Sequence, residues 1–206
     1  MIKQKLAQIE SELKEKKLDR HENPLDRLAE WIYSEKSGGR KSAVQFICTH
    51  NSRRSQFSQV WFLAVQRYFG LEVADGYSGG TEVTACNERT AAALERAGFK
   101  VIKQGEKNPV YLVSDAEIGF STQLWSKVYD DKANPESGFA AIMTCDHADS
   151  NCPFIPGADI RISQPYKDPK YSDGTNQEKD AYDRTSNIIA TDMLRLFTKV
   201  KEKTTE

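Results

Sequence analysis

The stretch Phe46-Ile47-Cys48-Thr49-His50-Asn51-Ser52-Arg53-Arg54-Ser55-Gln56 decides the fold. Residues 43–47 form a short, apolar, β-rich run that ends at Cys48. From Ser55 onward, Val60, Trp61, Ala64, Val65 and Tyr68 recur at helical spacing until Gly70 stops the pattern. The reading is strand, loop, helix, with Cys48 at the carboxyl end of the first core strand. Open α/β sheets bind ligands at that position.

The loop itself points to a chemistry. Cys48 and Arg54 have five residues between them, and a hydroxyl residue, Ser55, follows at once. Five residues let the backbone curl into a cup whose N–H groups face one tetrahedral oxyanion, and the helix N-terminus beneath adds partial positive charge. The same field favours an ionised Cys48 sulfur, the form that attacks phosphorus or arsenic. Arg54 has the planar fork needed to hold two equatorial oxygens and to stabilise charge in the transition state. Ser55 is placed to donate to the Cys48 sulfur and make it a better leaving group. Thr49, His50, Asn51, Ser52, Arg53 and Ser55 are the expected substrate-binding residues of the cup. The bland alternative, Cys48 as a small buried hydrophobe at a strand end, is disfavoured by its place at a strand-to-helix junction.

Working outward, Ile2, Leu6, Ile9 and Leu13 give an amphipathic helix expected to end near His21. Asn23 as N-cap and Pro24 at the first helical position open a second helix, with Leu25, Leu28, Trp31 and Ile32 on one side, up to Ser37-Gly38-Gly39. Residues 1–40 are thus expected to be a helical extension and residues 41–206 the catalytic domain. The helices either pack on the same body or make a dimer contact through the first stripe.

After the loop, a strand at 73–77 passes through Gly79-Gly80 to a helix at 87–97, with Asn87 as N-cap and Gly98 as C-cap. Residues 101–103 and 110–113 read as a hairpin or as a strand followed by an edge strand. A helix is expected around 122–129, a buried strand at 139–144 leading to Cys145, another strand at 159–163, and a long helix at 177–201. In that last helix Ile188, Ile189, Met193, Leu194 and Phe197 are expected to face inward. Strands alternating with helices imply an α/β fold, a mostly parallel sheet with helices on both faces.

Composition narrows the partners. The chain has 206 residues and a net charge of −1, which gives no reason to expect nucleic acid or an anionic membrane surface. The charged N-terminus lacks the apolar run of a secretion signal, and no stretch is long enough to span a bilayer, so the expected location is cytoplasmic. Four cysteines, unevenly spaced, are then expected to be reduced thiols.

Together with the opening stretch, Ser78-Gly79-Gly80-Thr81, Thr144-Cys145-Asp146-His147-Ala148-Asp149-Ser150-Asn151-Cys152-Pro153 and Asp168-Pro169 resemble the low-molecular-weight protein tyrosine phosphatases and the thioredoxin-coupled arsenate reductases of the same fold. The resemblance spans roughly residues 43–201. It implies that Asp168 is the general acid, protonating the departing oxygen. Asp173, Asp180 and Asp183 are weaker candidates. It also implies that Cys145 attacks the arsenic-bearing Cys48 sulfur, that Cys152 takes over the disulfide, and that thioredoxin restores the thiols.

Several positions depart from the pattern. Arg53 stands where the family has a second cysteine, which adds positive charge near the pocket. Gln59 replaces the glutamate of potassium-assisted reductases, which puts that ion site in doubt. His50 replaces a small residue, and Tyr171 lies one residue later than the tyrosine of phosphotyrosine phosphatases. Cys86 matches no family cysteine and is read as packing.

The leading expectation is an arsenate reductase with an arsenate or phosphate-type substrate, thioredoxin as partner, and no cofactor or metal. The alternatives are a phosphatase working through a cysteinyl-phosphate, and a noncatalytic oxyanion or metal sensor. For the latter, Cys145, His147 and Cys152, with Asp149, are the zinc candidates, although they lack a paired Cys-x2-Cys pattern.

Overall fold

The computed structural model describes residues 1–15, 23–152 and 154–205. Two helices come first, α1 (Ile2–Glu15) and α2 (Leu25–Ser37). β1 (Ser42–Cys48) runs through the cysteine loop into α3 (Arg54–Tyr68), and β2 (Ala74–Gly80) and α4 (Glu88–Ala97) follow. Three short strands, β3 (Lys100–Gln104), β4 (Val110–Asp115) and β5 (Phe120–Leu124), precede β6 (Phe139–Met143), α5 (Asp146–Asn151) and β7 (Ala158–Ser163). A 3-10 turn at Pro169–Ser172 leads to α6 (Glu178–Thr205).

The main sheet is parallel throughout, in the order β2-β1-β6-β7. Its two inner strands are buried along almost their whole length, as strands covered on both faces must be. The register sets Ile47 opposite Gly79 on one side and Met143 on the other, so Cys48 leaves the sheet between two neighbours that also end there. Aromatic side chains fill the layer between sheet and helices, with Phe46 edge-on to Phe62 and Trp61 edge-on to Phe99.

β3, β4 and β5 make a separate antiparallel sheet. The first two form the hairpin of the two readings left open by the sequence. The third overturns the helix expected around 122–129, because Phe120–Leu124 pairs with β4 and the residues after it form a loop bridged to the main sheet at Gly80↔Val128. Phe120 and Leu124 are buried while Ser121 and Gln123 are exposed. A four-residue spacing of apolar side chains suits one face of a helix and one face of a strand equally, and only the pairing partner separates them.

The caps of α4 are where the sequence puts them: Asn87 accepts from Arg89 N (2.9 Å) and Gly98 adopts a φ of 118°. At α2 the boundary falls one residue later than expected, with Pro24 as N-cap and Leu25 as the first helical residue, while Asn23 Oδ1 accepts from Leu25 N (3.0 Å). In α6, Ile189, Met193, Leu194 and Phe197 are buried, but Ile188 is 49% exposed. Adjacent helical residues point about 100° apart, so the two isoleucines do not share one buried face.

Ile2, Leu6 and Leu13 of α1, and Leu25, Leu28, Ala29 and Ile32 of α2, belong to the same buried core as α3 and α6. The first stripe is therefore packed on the body, and the expected end of its helix near His21 lies outside the described residues. Among the described residues no helix is long and apolar enough to cross a membrane. Because Leu6 is fully buried, Leu6→Ala is expected to lower the unfolding free energy by about 2–4 kcal/mol. Urea unfolding followed by circular dichroism checks this, and the loss should fall on one cooperative transition rather than on a separate early phase.

Candidate active site

The loop after β1 is built by side chains that hold its backbone from outside. Asn51, fully buried, takes a left-handed φ of 45° and is tied three ways. Its carbonyl accepts from Gln56 Nε2 (2.8 Å), its Oδ1 accepts from Lys127 N (3.1 Å), and its Nδ2 donates to Ser55 Oγ (2.9 Å). The Ser55 oxygen, occupied as an acceptor, has its own hydrogen left for Cys48 Sγ at 3.1 Å. That orientation gives the expected nucleophile a donor.

The glycines after β2 close the other side. Gly80 leaves no room for a side chain: a Cβ there would meet Thr49 O at 2.7 Å and Asn51 N at 2.8 Å. Thr81 N and Glu82 N donate to the carbonyls of Cys48 and Thr49 (3.2 and 2.9 Å), which turns those carbonyls outward. Among the described residues the N–H groups of 49–53 bond to no backbone acceptor, the state expected of an anion-binding nest.

Arg54 is mostly buried. It donates to Tyr166 O (3.1 Å) through one terminal nitrogen and to Asp168 Oδ2 (2.6 Å) through the other. Its Nε is buried with no partner, an uncompensated donor next to the loop. The second Asp168 oxygen accepts from Lys170 N (3.0 Å), so the carboxylate is fixed at both ends. The expected acid thus meets the expected oxyanion clamp.

The remaining cup residues divide by what their side chains touch. Ser52 Oγ donates to Ala85 O (2.7 Å), a brace to the loop before α4. His50 is on the rim, its ring 3.6 Å from Glu82, with its carbonyl accepting from Ser126 Oγ (2.9 Å). Arg53, read from sequence as a substrate contact, has Nε on Tyr182 Oη (2.7 Å) and a terminal nitrogen on Asp173 (3.4 Å). Gln59 donates to Thr122 Oγ1 (3.0 Å) and accepts from Ser78 Oγ (2.6 Å).

Thr49 faces the second cysteine. Its hydroxyl is 3.5 Å from Cys145 Sγ and 3.3 Å from His147 Nδ1. Cys145 caps α5, accepting from Ala148 N at 3.4 Å, and Cys152 ends it, with its N–H on Ala148 O (3.0 Å). Cys48 and Cys145 belong to one small buried cluster with Ile47, Met143 and Ala148, and the half-buried Cys152 packs against it. Arg161 holds the far end of α5, donating to the carbonyls of Asp149 (2.7 Å) and Cys152 (3.0 Å) and to Asp149 Oδ1 (2.6 Å). Among the described residues no group of three His, Cys, Asp or Glu side chains is arranged to hold a metal.

No protein-family model matches the chain. A curated arsenate reductase of Halalkalibacterium halodurans is 28% identical over 139 residues, covering 68% of this chain and 82% of that protein. One from Bacillus licheniformis is 27% identical over 142 residues, covering 69% and 84%. A solved arsenate reductase of Archaeoglobus fulgidus matches with a TM-score of 0.50 at 16% identity, over 75% of this chain and 98% of that one. A low-molecular-weight phosphotyrosine phosphatase of Vibrio cholerae O395 matches with a TM-score of 0.52 at 13% identity, over 78% and 97%. The chain shares the fold of the low-molecular-weight protein tyrosine phosphatases and is similar in sequence to arsenate reductases.

Sequence reasoning finds the residues of the cysteine loop that are contiguous, and it finds Asp168 only through resemblance. It gives Asp173 only as a weaker candidate for the acid, and it misses Arg161 and Tyr182, the latter 129 residues from its partner Arg53. It also misses Lys127, which supports the loop through Asn51 and through its carbonyl, an acceptor for Gly80 N (2.9 Å).

The Lys127 side chain is 4% exposed, with its ammonium 4.1 Å from the Trp125 ring centroid. Burial pushes it down to about 8, against the opposing fields of Asp131 and Cys86, while burial pushes the Cys86 thiol up to about 12. With Lys127 at about 8 folded and near 10.5 unfolded, the unfolded chain binds more protons between those values, so this residue's contribution to stability rises with pH across that window. Lys127→Met is therefore expected to be more stable than wild type at pH 7, by roughly 1–3 kcal/mol. The gap should close as pH is raised toward 10 in urea titrations, and a gap that does not change with pH would contradict the assignment.

Proposed function

We propose that this enzyme is an arsenate reductase in which Cys48, Cys145 and Cys152 pass an oxidation outward to thioredoxin. The observation that carries the reading is the grouping of Cys48 and Cys145 in one buried cluster, with Cys152 against it and the Thr49 hydroxyl between the cup and Cys145. A phosphatase has no use for the second and third thiols. The match to curated relatives named arsenate reductases, over most of their length, supports the same choice.

In this mechanism the Cys48 thiolate attacks arsenate while the loop amides and Arg54 hold its oxygens. Asp168 supplies the proton with which one hydroxyl departs as water. Cys145 then attacks the Cys48 sulfur. The sulfur–arsenic bonding pair goes to arsenic, which is reduced from As(V) to As(III), and a Cys48–Cys145 disulfide forms. Cys152 attacks Cys145, Cys48 leaves as a thiolate, and the dithiol of thioredoxin reduces the Cys145–Cys152 disulfide, balancing the electrons.

The third step needs movement. Cys145 and Cys152 stand at opposite ends of α5, and seven residues of helix put their Cα atoms about 10 Å apart, whereas a disulfide tolerates roughly 4.4–6.8 Å. α5 therefore has to open, which breaks the Arg161 contacts to Asp149 and Cys152. After one arsenate turnover without thioredoxin, residues 145–152 are expected to become the preferred site of limited proteolysis. Cleavage identical to that of the reduced protein counts against the relay.

The closed α5 favours one second reading, a phosphatase in which water hydrolyses the cysteinyl-phosphate with Asp168 acting as base, because that reaction leaves the helix intact. Thioredoxin-coupled arsenate reduction and aryl-phosphate hydrolysis are to be measured in parallel for wild type, Cys48→Ser, Cys145→Ser and Cys152→Ser. The reductase reading expects Cys48→Ser to lose both activities, and the other two variants to lose arsenate turnover alone. A phosphatase would be indifferent to Cys145→Ser and Cys152→Ser.

A further inference from the structure

Two consecutive arginines meet the two ends of one short segment. Arg54 binds Asp168 (2.6 Å), and Arg53 reaches Asp173, which caps the 3-10 turn beginning directly after Asp168. The contacts at Asp173 close a ring. Arg53 Nε donates to Tyr182 Oη (2.7 Å), Tyr182 donates to Asp173 Oδ1 (2.9 Å), and an Arg53 terminal nitrogen donates to Asp173 Oδ2 (3.4 Å). Tyr182 is fully buried on α6, and the turn between Asp168 and Asp173 is tied by Lys170 N on Asp168 Oδ1 and by Asp173 N on Lys170 O (both 3.0 Å). A displacement at one end of so short and bonded a segment is carried to the other.

We propose that Arg53 is a positioning residue: with Tyr182 and Asp173 it fastens the segment from Asp168 to Asp173 onto the anion loop, and so holds the Asp168 carboxyl at the place from which it delivers its proton. Arg54 alone cannot hold it there during the reaction, because its guanidinium is needed by the substrate oxygens at the moment when Asp168 must stay in place. Arg53 provides an attachment that the incoming anion does not compete for. Arg53 and Tyr182 also keep their protons over the working range of pH. Burial opposes the Arg53 charge, but Tyr182, Asp168 and Asp173 outweigh it and raise the guanidinium above its ordinary value. Burial pushes the Tyr182 hydroxyl up to about 12, so it remains a donor to Asp173. Arg53 thus acts on the reaction through another residue.

The inference rests on Asp168 being the acid, and the experiment separates the two. Steady-state arsenate reduction, coupled to thioredoxin, is measured for wild type, Arg53→Ala, Tyr182→Phe, Asp168→Asn and the double variant Tyr182→Phe/Asp168→Asn. Inhibition by inorganic phosphate reports binding to the cup. Tyr182→Phe removes one hydroxyl and keeps the buried ring, which guards against a variant that merely fails to fold. The expected result is a fall in kcat of about tenfold or more for Arg53→Ala and Tyr182→Phe, with the phosphate inhibition constant within about twofold of wild type. In the Asp168→Asn background the Tyr182→Phe change should cost nothing further, since there is no acid left to position. An unchanged kcat, phosphate binding weakened as much as kcat, or a full additional loss in the double variant overturns the proposal. If Asp168→Asn alone retains full kcat, the acid assignment fails first, and that single variant identifies it.

Discussion

A chain that leaves a parallel strand and enters a helix through five residues has to leave a run of backbone N–H groups without internal acceptors. In this protein that constraint is met by turning the carbonyls of Cys48 and Thr49 outward, onto the residues after β2, so that the donors are left facing the other way. Everything else near the site serves that arrangement. Asn51 tolerates the left-handed backbone that the curl requires, and Gly80 lets the second strand end against the loop without a side chain between them. Gln56 and Lys127 hold Asn51 from opposite sides. The support is polar and buried, which makes it stiff, since each bond lost there would leave an unpaired group in a low-dielectric interior.

The parts of this site written in consecutive residues are legible without a structure. Cys48, Arg54 and Ser55 announce themselves because strand, loop and helix N-terminus must be contiguous to make an anion cup, and periodicity identifies the flanking elements. Asp168 is a different case, an aspartate in an ordinary Asp-Pro turn, 114 residues from the arginine it meets. The Arg53–Tyr182 contact spans 129 residues, and nothing in the periodicity of α6 marks Tyr182 as more than a core aromatic. β5 fails for a third reason, since its two apolar residues have a spacing that helix and strand share. Local pattern determines elements, whereas contacts across the fold determine what a polar residue is for.

Cys145 and Cys152 illustrate how one short helix can serve two demands. While α5 is formed, Cys145 is buried and capped by its own turn, protected from adventitious oxidation. The Arg161 contacts that terminate the helix involve two carbonyls and a carboxylate, charge-assisted bonds of the stronger kind. A six-residue helix has little intrinsic stability, so its persistence depends on Arg161, on Ser163, whose hydroxyl donates to Asp149 Oδ2 (2.7 Å), and on the small apolar cluster beneath.

α6 touches α1, α2, α3 and α4 as well as the 3-10 turn after Asp168. Tyr182, which bonds both Arg53 and Asp173, is therefore on the element that organises the largest part of the core. Amide hydrogens at Tyr182 are expected to exchange with solvent only when the whole molecule opens, whereas those of α5, which packs on β1 and β6 instead, exchange by a local route. In the proposed relay, the centre is thus divided between a half that stays folded and a half that melts and is rebuilt with each turnover.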